Sequence, residues 1–266
     1  MVGVTYTHGH HESVLRSHRH RTAANSAAYL LPHLRPGMSV LDVGAGPGTI
    51  TADLAALVAP GRVTALETSA QLAELSQAEA ARRGLEVDVA VGDVTHLDLP
   101  DASIDVTHAH QVLQHLADPV QALREMARVT RPGGLVAVRD ADYAAFSWYP
   151  QTPELDQWMN LYQRAARANG GEPDAGRRML AWAHATGLRD LDATSSTWCF
   201  ATPDDRAWWA ATWAERLCDS ALSVQLLTAG WATRADLVRI ADGWTRWAAD
   251  DDAWFTLVHG EILARR

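Results

Sequence analysis

Short apolar runs and longer amphipathic stretches alternate along the first 140 residues. The runs are rich in valine, leucine and alanine and are too short to be helices, so they predict buried strands. The stretches between them repeat apolar residues every three or four positions, which predicts helices packed against those strands. We expect strands at 40–43, 63–67, 87–91, 104–108 and 135–139, and helices at 49–57, 70–83 and 119–131. This alternation is typical of a parallel sheet covered by helices on both faces.

The two ends of the chain depart from this pattern. Residues 1–11 form a polar, histidine-rich lead, and residues 12–33 have the spacing of a helix that Pro32 and Pro36 end. Beyond Trp148 the spacing predicts helices at 155–168, 176–186, 204–217 and 234–249, and strands at 191–200 and 253–262. We therefore expect an N-terminal arm and lid helix at 1–35 and a ligand-binding core at 36–147. The remaining core strands and a tryptophan-rich helical lid, at 148–266, belong to the same domain.

Composition narrows the class of protein. The formal net charge is −9, and all 23 basic residues are arginine. An acidic chain without a basic run is a poor candidate for nucleic-acid binding. No apolar run is long enough to span a membrane. Only Cys199 and Cys218 are present, which argues against a disulfide framework. We expect a cytoplasmic protein without a signal peptide, either a monomer or a homodimer.

The stretch Val-Leu-Asp-Val-Gly-Ala-Gly-Pro-Gly-Thr at 40–49 joins the first predicted strand to a helix. Glycines at alternate positions allow the backbone to approach a ligand closely, and the free N–H groups of the helix point toward that ligand. By itself the pattern is also compatible with a turn that only packs a strand against a helix.

Polar or ligand-compatible residues stand at the ends of five predicted strands, namely Gly44, Glu67, Asp93, His110 and Asp140. In parallel sheets these ends meet at one crevice, where ligands bind. A carboxylate such as Glu67 accepts hydrogen bonds from two ribose hydroxyls, and Asp93 suits the exocyclic amine of adenine. The sequence therefore predicts a ligand that contains adenosine.

Several of these segments together resemble the class I S-adenosylmethionine-dependent methyltransferases. They are the glycine stretch at 40–49, Glu67, Val-Gly-Asp at 91–93 and Asp-Ala-Ser-Ile-Asp-Val at 101–106. Gln-Val-Leu-Gln-His-Leu at 111–116 and Glu-Met-Ala-Arg-Val-Thr-Arg-Pro-Gly-Gly at 125–134 are similar to the branch that includes the ubiquinone and menaquinone C-methyltransferases. The resemblance covers about residues 35–140. It implies an α/β, Rossmann-like, doubly wound sheet of seven strands with helical lid insertions. The last strand would be antiparallel, and residues 253–262 fit that strand.

The resemblance also implies which residues bind the cofactor, S-adenosyl-L-methionine, and its product, S-adenosyl-L-homocysteine. The glycine turn would line the methionine and ribose part, Glu67 would hold the ribose, and residues 92–94 would flank the adenine. In the N-terminal arm, Tyr6 and His8 are expected to close over the ligand. The complete expected set is Tyr6, Asp42, Gly44, Ala45, Gly46, Gly48, Thr49, Glu67, Thr68, Gly92, Asp93, Val94, His110, Gln111 and His115.

Methyl transfer from a sulfonium depends mainly on alignment and on the exclusion of water. A base is needed only where the accepting atom must lose a proton. His110 is the first candidate because imidazole titrates near neutral pH, and His8, Asp142 and Tyr143 are the others. Each of these residues also has an ordinary structural alternative. We expect no metal site, because the histidines of the arm lack a complete ligand set.

The expected acceptor is a small molecule, aromatic or amine-bearing, with Trp148, Tyr149 and Trp158 as candidates for its pocket. Core packing is the favoured alternative for most of the tryptophans. Two other functions stay open at this point. One is a protein that binds the same cofactor without transferring a methyl group. The other, less favoured, is an NAD(P)-dependent oxidoreductase, whose fingerprint requires glycine or alanine where this chain has Thr49.

Overall fold

The computed structural model describes residues 21–266, in which eight strands form one sheet and nine α-helices surround it. The strands are β1 (Val40–Val43), β2 (Val63–Glu67), β3 (Asp88–Val91), β4 (Ile104–His110), β5 (Thr130–Ala141), β6 (Ser147–Tyr149), β7 (Arg189–Phe200) and β8 (Trp254–Arg265). The helices are α1 (Ala23–Ser26), α2 (Thr49–Val58), α3 (Ala70–Arg82), α4 (Pro119–Val129), α5 (Pro153–Ala168), α6 (Met179–Thr186), α7 (Pro203–Asp219), α8 (Ala221–Thr228) and α9 (Arg234–Ala248). Short 3-10 turns occupy Leu31–His33, Leu113–His115 and Tyr143–Ala145.

The sheet confirms the predicted architecture. Its first five strands are parallel and lie in the order β3-β2-β1-β4-β5. The last strand, β8, is antiparallel to β5 on one side and to β7 on the other. The chain reverses strand order at β1 and β4, and this is the position where open parallel sheets bind ligands.

All seven predicted strands are present, and the pattern missed one. Strand β6 pairs three residues with the start of β8, so it continues the line of β5 along the same edge. Three residues are too few to produce a periodic signal. Strand β5 begins five residues earlier than predicted because α4 ends at Val129. Pro132 disfavours helical backbone at Arg131, and the Thr130 hydroxyl bonds back to the Met126 carbonyl at 2.7 Å.

The predicted continuous helix at 12–33 is wrong in its described part. Thr22 has extended backbone and caps a new four-residue helix, α1, by accepting a hydrogen bond from the Asn25 N–H. Ala27 then leaves helical geometry, and only a 3-10 turn follows before β1. The capping box of Thr22 and Asn25 therefore overrides the apolar spacing on which the prediction relied.

Two other helices differ from the prediction near the C-terminal half. Helix α6 starts at Met179 rather than at residue 176, because Gly176 packs directly against the backbone of Gly260. Helix α8 was not predicted. It is a separate helix because the Ser220 hydroxyl caps its N-terminus immediately after α7 ends.

Apolar side chains cover both faces of the sheet. On one face Leu54 and Val58 of α2 pack with Val40 and Val106 of the strands. On the other face α4 packs through Met126 against a second set of strand residues and against α6. The parallel core is therefore buried on both sides, as its nearly continuous apolar strands require.

The tryptophans of the second half form a third apolar cluster around β8. Trp158, Trp213 and Trp244 contact one another edge to face or in offset stacks, and Phe255 of β8 lies among them. All of these rings are fully buried. Most of the tryptophan-rich region thus provides core packing for α5, α7 and α9. Within residues 21–266 no helix is both long and apolar enough to cross a membrane.

Candidate active site

A cavity of about 600 Å³ lies at the C-terminal ends of β3, β2, β1 and β4. Neighbouring strands are about 4.8 Å apart, so these four ends span roughly 14 Å. Its walls are formed by Arg21, Asp42, Gly44, Ala45, Gly46, Pro47, Thr49, Ile50, Glu67, Thr68, Leu72, Asp93, Thr95, His96, His110, Gln111, Val112, His115, Leu116, Ala117, Asp118 and Gln121. Eleven of the fifteen residues predicted to bind the cofactor are among these walls.

The glycine turn forms one wall by a close backbone approach. Gly44 has φ of +67°, and a Cβ atom there would lie 2.5 Å from a methyl group of Val112. Gly48 has φ of +83°, and a Cβ atom there would lie 2.6 Å from the Ser76 Cα. Any larger residue at these positions would be strained and would push the turn against its neighbours. Gly48 is therefore a packing residue behind the wall, and Gly44 is part of the wall.

Glu67 connects the end of β2 to this turn. Its carboxylate accepts hydrogen bonds from the Gly46 N–H and, at 3.2 Å, from the Thr68 N–H. The side chain is buried, and burial raises the pKa of Glu67 although the two N–H groups oppose that shift. A carboxylate has about four acceptor positions, so two remain for a ligand in the cavity.

Asp42 connects the strand before the turn to two neighbouring elements. Its carboxylate accepts a hydrogen bond from the Thr51 hydroxyl at 2.5 Å, and its other oxygen lies 2.7 Å from Nδ1 of His108. His108 is fully buried in β4. These contacts connect β1, β4 and α2, so the position of Asp42 at the cavity wall is fixed by three elements.

Asp93 stands at the opposite end of the cavity, after β3. One of its oxygens accepts hydrogen bonds from the N–H and the hydroxyl of Thr95, each at 2.8 Å. Gly92 and Val94 flank it but are not walls of the cavity. Val94 is buried in the apolar cluster that contains Leu66, so its role is to support the loop.

The end of β4 provides the third part of the site. Gln111 has φ of +55°, a conformation that non-glycine residues rarely adopt and that is enriched at functional sites. Its side-chain oxygen accepts a hydrogen bond from Arg21 at 2.6 Å, and its amide nitrogen lies 2.8 Å from Nε2 of His259. Gln111 thus links a cavity wall to residues of β8.

His110 and His115 are uncharged imidazoles at the same end. Burial and the neighbouring Arg139 and Arg21 hold the pKa of His110 well below its ordinary value. Burial and Arg21 lower the pKa of His115 to about 3. Neither ring nitrogen of His110 has a hydrogen-bond partner within residues 21–266. Both nitrogens are themselves buried, and the residue as a whole is 4% exposed.

Asp140 lies beneath the loop that carries these histidines and is not a wall of the cavity. The carboxylate of this fully buried residue accepts hydrogen bonds from the Leu113 and Gln114 N–H groups at 3.2 and 3.3 Å. Burial raises the pKa of Asp140 to about 7 against these stabilising contacts. Of the five strand-end residues predicted to reach one crevice, four reach the cavity and Asp140 positions the loop.

Two predicted catalytic residues lie outside the cavity walls. Asp142 forms a two-point ion pair with Arg177, with both distances at 2.7 Å. Tyr143 stacks on Tyr162 at 4.2 Å in the tryptophan-rich cluster. Both side chains are engaged in these contacts, away from the walls of the described cavity. Tyr6 and His8 lie outside the described residues.

The aromatic residues proposed for an acceptor pocket are also elsewhere. Trp158 is fully buried in the core cluster, and Trp148 stacks on Phe255 at 5.8 Å. Tyr149 is 60% exposed on the surface. The prediction that these three line the pocket finds no support in the described cavity, because the helical region packs on itself and on β8.

Sequence reasoning missed several residues at the β4 end. Arg139 and His259 lie directly behind His110, and Trp198 of β7 lies 5.7 Å from that ring, centroid to centroid. These residues come from β5, β8 and β7, and only the antiparallel pairing of the last strands brings them together. His259 had no distinguishing sequence feature.

Comparison with known proteins identifies the family. A family model described as a methyltransferase domain matches residues 41–138. The chain is 33% identical over 274 residues to an uncharacterized methyltransferase of Schizosaccharomyces pombe, and the match covers 98% of this chain and 96% of that protein. The chain belongs to the class I S-adenosylmethionine-dependent methyltransferases. Its cofactor is therefore S-adenosylmethionine, as the sequence resemblance implied.

Other relatives also have methyltransferase names. A Mycobacterium tuberculosis protein named "Probable S-adenosylmethionine-dependent methyltransferase" is 32% identical over 210 residues, which cover 78% of this methyltransferase and 71% of that protein. The ubiquinone/menaquinone biosynthesis C-methyltransferase of Bdellovibrio bacteriovorus is 38% identical over 104 residues, 39% of this chain and 44% of that one.

Among solved structures, the YcgJ protein from Bacillus subtilis has a TM-score of 0.59 at 18% identity, with coverage of 90% and 97% of the two chains. The [4+2]-cyclase SpnF has a TM-score of 0.54 at 21% identity, with coverage of 96% and 80%. At these identities the likeness shows the fold alone.

The residues present fit this cofactor. The backbone of the turn at Gly44 lines the cavity, and Glu67 and Asp93 present acceptors to hydroxyl and amine groups. No group of three or more metal-ligating side chains occurs in the part of the chain that the structure describes.

The Gly44→Ala substitution tests the close approach at the turn. We expect it to weaken binding of S-adenosylhomocysteine by about tenfold or more, because the new methyl group collides with Val112 and displaces the wall. Gly84→Ala is the matched control, since Gly84 has φ of +69° with nothing within 4 Å of an added Cβ. Both variants bear the strain of positive φ, so equal affinities in calorimetry would contradict a role for Gly44 in shaping the site.

The buried imidazoles predict a loss of stability in acid. Because the pKa of His110 is lowered on folding, the unfolded chain binds a proton below about pH 6.5 that the folded chain does not. As the pH is lowered below this value, the free energy of unfolding therefore decreases, by about 1.4 kcal/mol per pH unit for this group. Urea denaturation between pH 7 and pH 5 should show that the free energy of unfolding changes less with pH for His110→Gln than for the wild type.

The matched control for this slope is His184→Gln, which removes an exposed imidazole. It should leave the pH dependence of unfolding unchanged. The prediction fails if His110→Gln and the wild type lose stability at the same rate. The raised pKa of Asp140 acts in the opposite direction in both proteins, so it cancels in the comparison.

Proposed function

We propose that this methyltransferase transfers the methyl group to a small-molecule acceptor held at the β4 end of the cavity. The observation that carries the proposal is a cavity of about 600 Å³ with Asp42, Glu67 and Asp93 at the ends of β1 to β3 and His110 and His115 at or after the end of β4. A volume of this size is typical of small-molecule sites. The acidic net charge disfavours a nucleic-acid acceptor.

The cofactor would lie across the strand ends in a single orientation. Glu67 would accept hydrogen bonds from the ribose hydroxyls, and Asp93 would face the adenine at the β3 end. The turn at Gly44 would hold the methionine part, which brings the sulfonium toward His110 and Gln111. The distance from β2 to β4 is two strand spacings, about 10 Å, which suits the separation between a ribose and the acceptor.

The bound cofactor supplies an electrophilic methyl group on a sulfonium that is already a good leaving group. The protein's contribution is to align the acceptor and exclude water. Gln111 is held by Arg21 and His259, so the end of β4 is rigid where alignment matters. Apolar Val112 and Leu116 of the same wall reduce access of water.

His110 would accept a hydrogen bond from the hydroxyl group of the molecule that is methylated. A neutral imidazole offers one acceptor nitrogen and one donor N–H, and neither is engaged by the described residues. A lowered pKa makes the imidazole a weak base, but a hydroxyl becomes strongly acidic as its oxygen gains the methyl group. His110 can therefore take that proton late in the reaction without being charged beforehand.

The His110→Gln variant separates this role from cofactor binding. We expect turnover with a methylatable acceptor to fall by about 100-fold or more, the size of a general-base contribution, while affinity for S-adenosylhomocysteine changes little. Turnover is measured as S-adenosylhomocysteine released in a screen of small acceptors, and affinity by calorimetry. The opposite split, with affinity lost and turnover retained, would make His110 a cofactor-binding residue.

A further inference from the structure

Gln111 is a wall of the cavity whose side chain is held at both ends of its amide group. Arg21 donates a hydrogen bond to the side-chain oxygen at 2.6 Å, and the side-chain nitrogen lies 2.8 Å from Nε2 of His259. The backbone N–H of Gln111 donates to the Arg139 carbonyl at 2.7 Å. A residue with positive φ, such as Gln111, persists only where its surroundings over-determine it, and such residues cluster at active sites.

The two partners of the amide fix which of its ends faces which partner. An arginine side chain only donates hydrogen bonds, so the group that faces Arg21 is the carbonyl oxygen of Gln111. The NH₂ end therefore faces His259 and donates to its Nε2. If the amide turned over, its N–H groups would face the donors of the guanidinium. The side chain of Gln111 thus has a single favourable orientation.

The same contact determines where His259 carries its proton. Burial, together with the charges of Arg139 and Arg21, holds the pKa of His259 well below its ordinary value, so the ring is uncharged at neutral pH. A neutral imidazole has one N–H and one acceptor nitrogen. Because Nε2 accepts from Gln111, the proton is on Nδ1.

His259 is not a wall of the cavity, but its own position is fixed by neighbouring elements. It is buried in β8, and its ring lies 4.7 Å from that of Trp198, centroid to centroid. Trp198 belongs to β7, which pairs with β8, and its indole N–H donates to the Asn25 carbonyl at 2.7 Å. Contacts from the paired strands β7 and β8 therefore determine where the acceptor nitrogen of His259 lies.

The amide of Gln111 has hydrogen-bonding capacity left for a bound molecule. A carboxamide has two N–H donors and two lone pairs on its oxygen. One N–H is directed to His259 and one lone pair to Arg21, and these are its side-chain hydrogen bonds within residues 21–266. One N–H and one lone pair remain on a side chain that lines the cavity.

We propose that His259 is a positioning residue for methyl transfer, and that it holds the Gln111 amide so that its remaining N–H orients the molecule that is methylated beside His110. Gln111 contacts that molecule, and His259 acts only through Gln111. A hydroxyl group suits this arrangement, because its oxygen can donate to His110, accept from Gln111 and keep a lone pair for the methyl group. The inference rests on the proposed function and adds the residues that align the acceptor.

The first test is ¹⁵N NMR of histidine-labelled protein in complex with S-adenosylhomocysteine, since protonated and unprotonated ring nitrogens have well-separated chemical shifts. The signals of His259, identified by their loss in His259→Gln, should show a protonated Nδ1 and an unprotonated Nε2. The Gln111→Glu variant should place a proton on Nε2, because a carboxylate only accepts. A protonated Nε2 in the wild type, or no change in Gln111→Glu, overturns the inference.

The second test separates alignment from cofactor binding. His259→Phe keeps a ring at the buried position but removes the acceptor nitrogen, so the amide loses its fixed orientation. We expect kcat to fall about tenfold or more while KM for S-adenosylmethionine stays within about twofold. The acceptor is the compound from which the wild type releases most S-adenosylhomocysteine in the screen of small acceptors.

Two further variants make this comparison specific. His259→Gln offers an oxygen that can accept from the same N–H of Gln111, so it should recover most of the lost turnover. The matched control is His184→Phe, which makes the same change at an exposed position and should alter neither kcat nor KM. If His259→Phe does not fold, His259→Gln carries the kinetic test, and a fall in its kcat of about tenfold or more overturns the inference.

The outcomes distinguish this inference from the proposed function. If the wild type releases S-adenosylhomocysteine with none of the small acceptors, the proposed function fails. If the wild type is active and His259→Phe keeps its kcat, only the positioning role is overturned. The same holds if His259→Gln is no more active than His259→Phe, or if KM for S-adenosylmethionine rises without a fall in kcat.

Discussion

The contact between the Glu67 carboxylate and the Gly46 N–H is the constraint on which the rest of the site depends. It joins the end of β2 to the turn after β1, and Ser76 of α3 adds a second hydrogen bond to the Gly46 carbonyl at 2.7 Å. The backbone of the turn is closely packed at Gly44 and Gly48, where an added Cβ would collide with Val112 or Ser76, and this packing keeps the turn from relaxing. The same carboxylate holds the turn in place and lines the cavity. A site in which one residue does both is pre-organised and loses little entropy on binding.

The second organising feature is the distribution of charge along the cavity. Asp42, Glu67 and Asp93 lie at the ends of β1, β2 and β3, whereas the two arginines Arg21 and Arg139 lie beside β4 and β5, together with the carboxylate of Asp118. This arrangement follows from the topology: the antiparallel β8 and the edge strand β7 bring His259, Glu261 and Trp198 to the side of β5. The parallel core strands therefore form most of the cavity, and the last strands pack behind its β4 end.

The sequence was sufficient for the core and for most of the residues that line the cavity at the ends of β1 to β3. Apolar runs of four or five residues located β1, β2 and β3, and the residues at their ends, Glu67 and Asp93, are walls of the cavity. These inferences succeeded because strand, turn and helix N-terminus are contiguous in sequence. The helix predicted at 12–33 failed where a local capping box at Thr22 competes with apolar spacing, and spacing alone cannot weigh that competition.

The surroundings of the β4 end of the cavity could not be predicted for a different reason. Arg139 and Glu261 are 122 residues apart and meet only through the pairing of β5 with β8. Core packing was the favoured interpretation for most tryptophans, with Trp158 among the candidates for a pocket, and Trp158 and Trp244 are both core residues. Large apolar area is as useful for packing α5 to α9 as for binding a ligand, so composition alone could not decide which rings would line a pocket. Asp142 follows a strand as Asp93 does, but Arg177 takes up its carboxylate.

Calorimetric titration with S-adenosylhomocysteine, of the wild type beside Glu67→Gln, tests the central claim that Glu67 organises the cofactor site. The carboxamide would place an NH₂ group against the N–H of Gly46 or Thr68 and would lose an acceptor for the ribose. Affinity should fall about tenfold or more, as expected for a lost hydrogen bond to a charged group. Glu86→Gln, at an exposed position, should bind like the wild type. Equal affinities for Glu67→Gln and the wild type would contradict the claim and would require a different site for the cofactor.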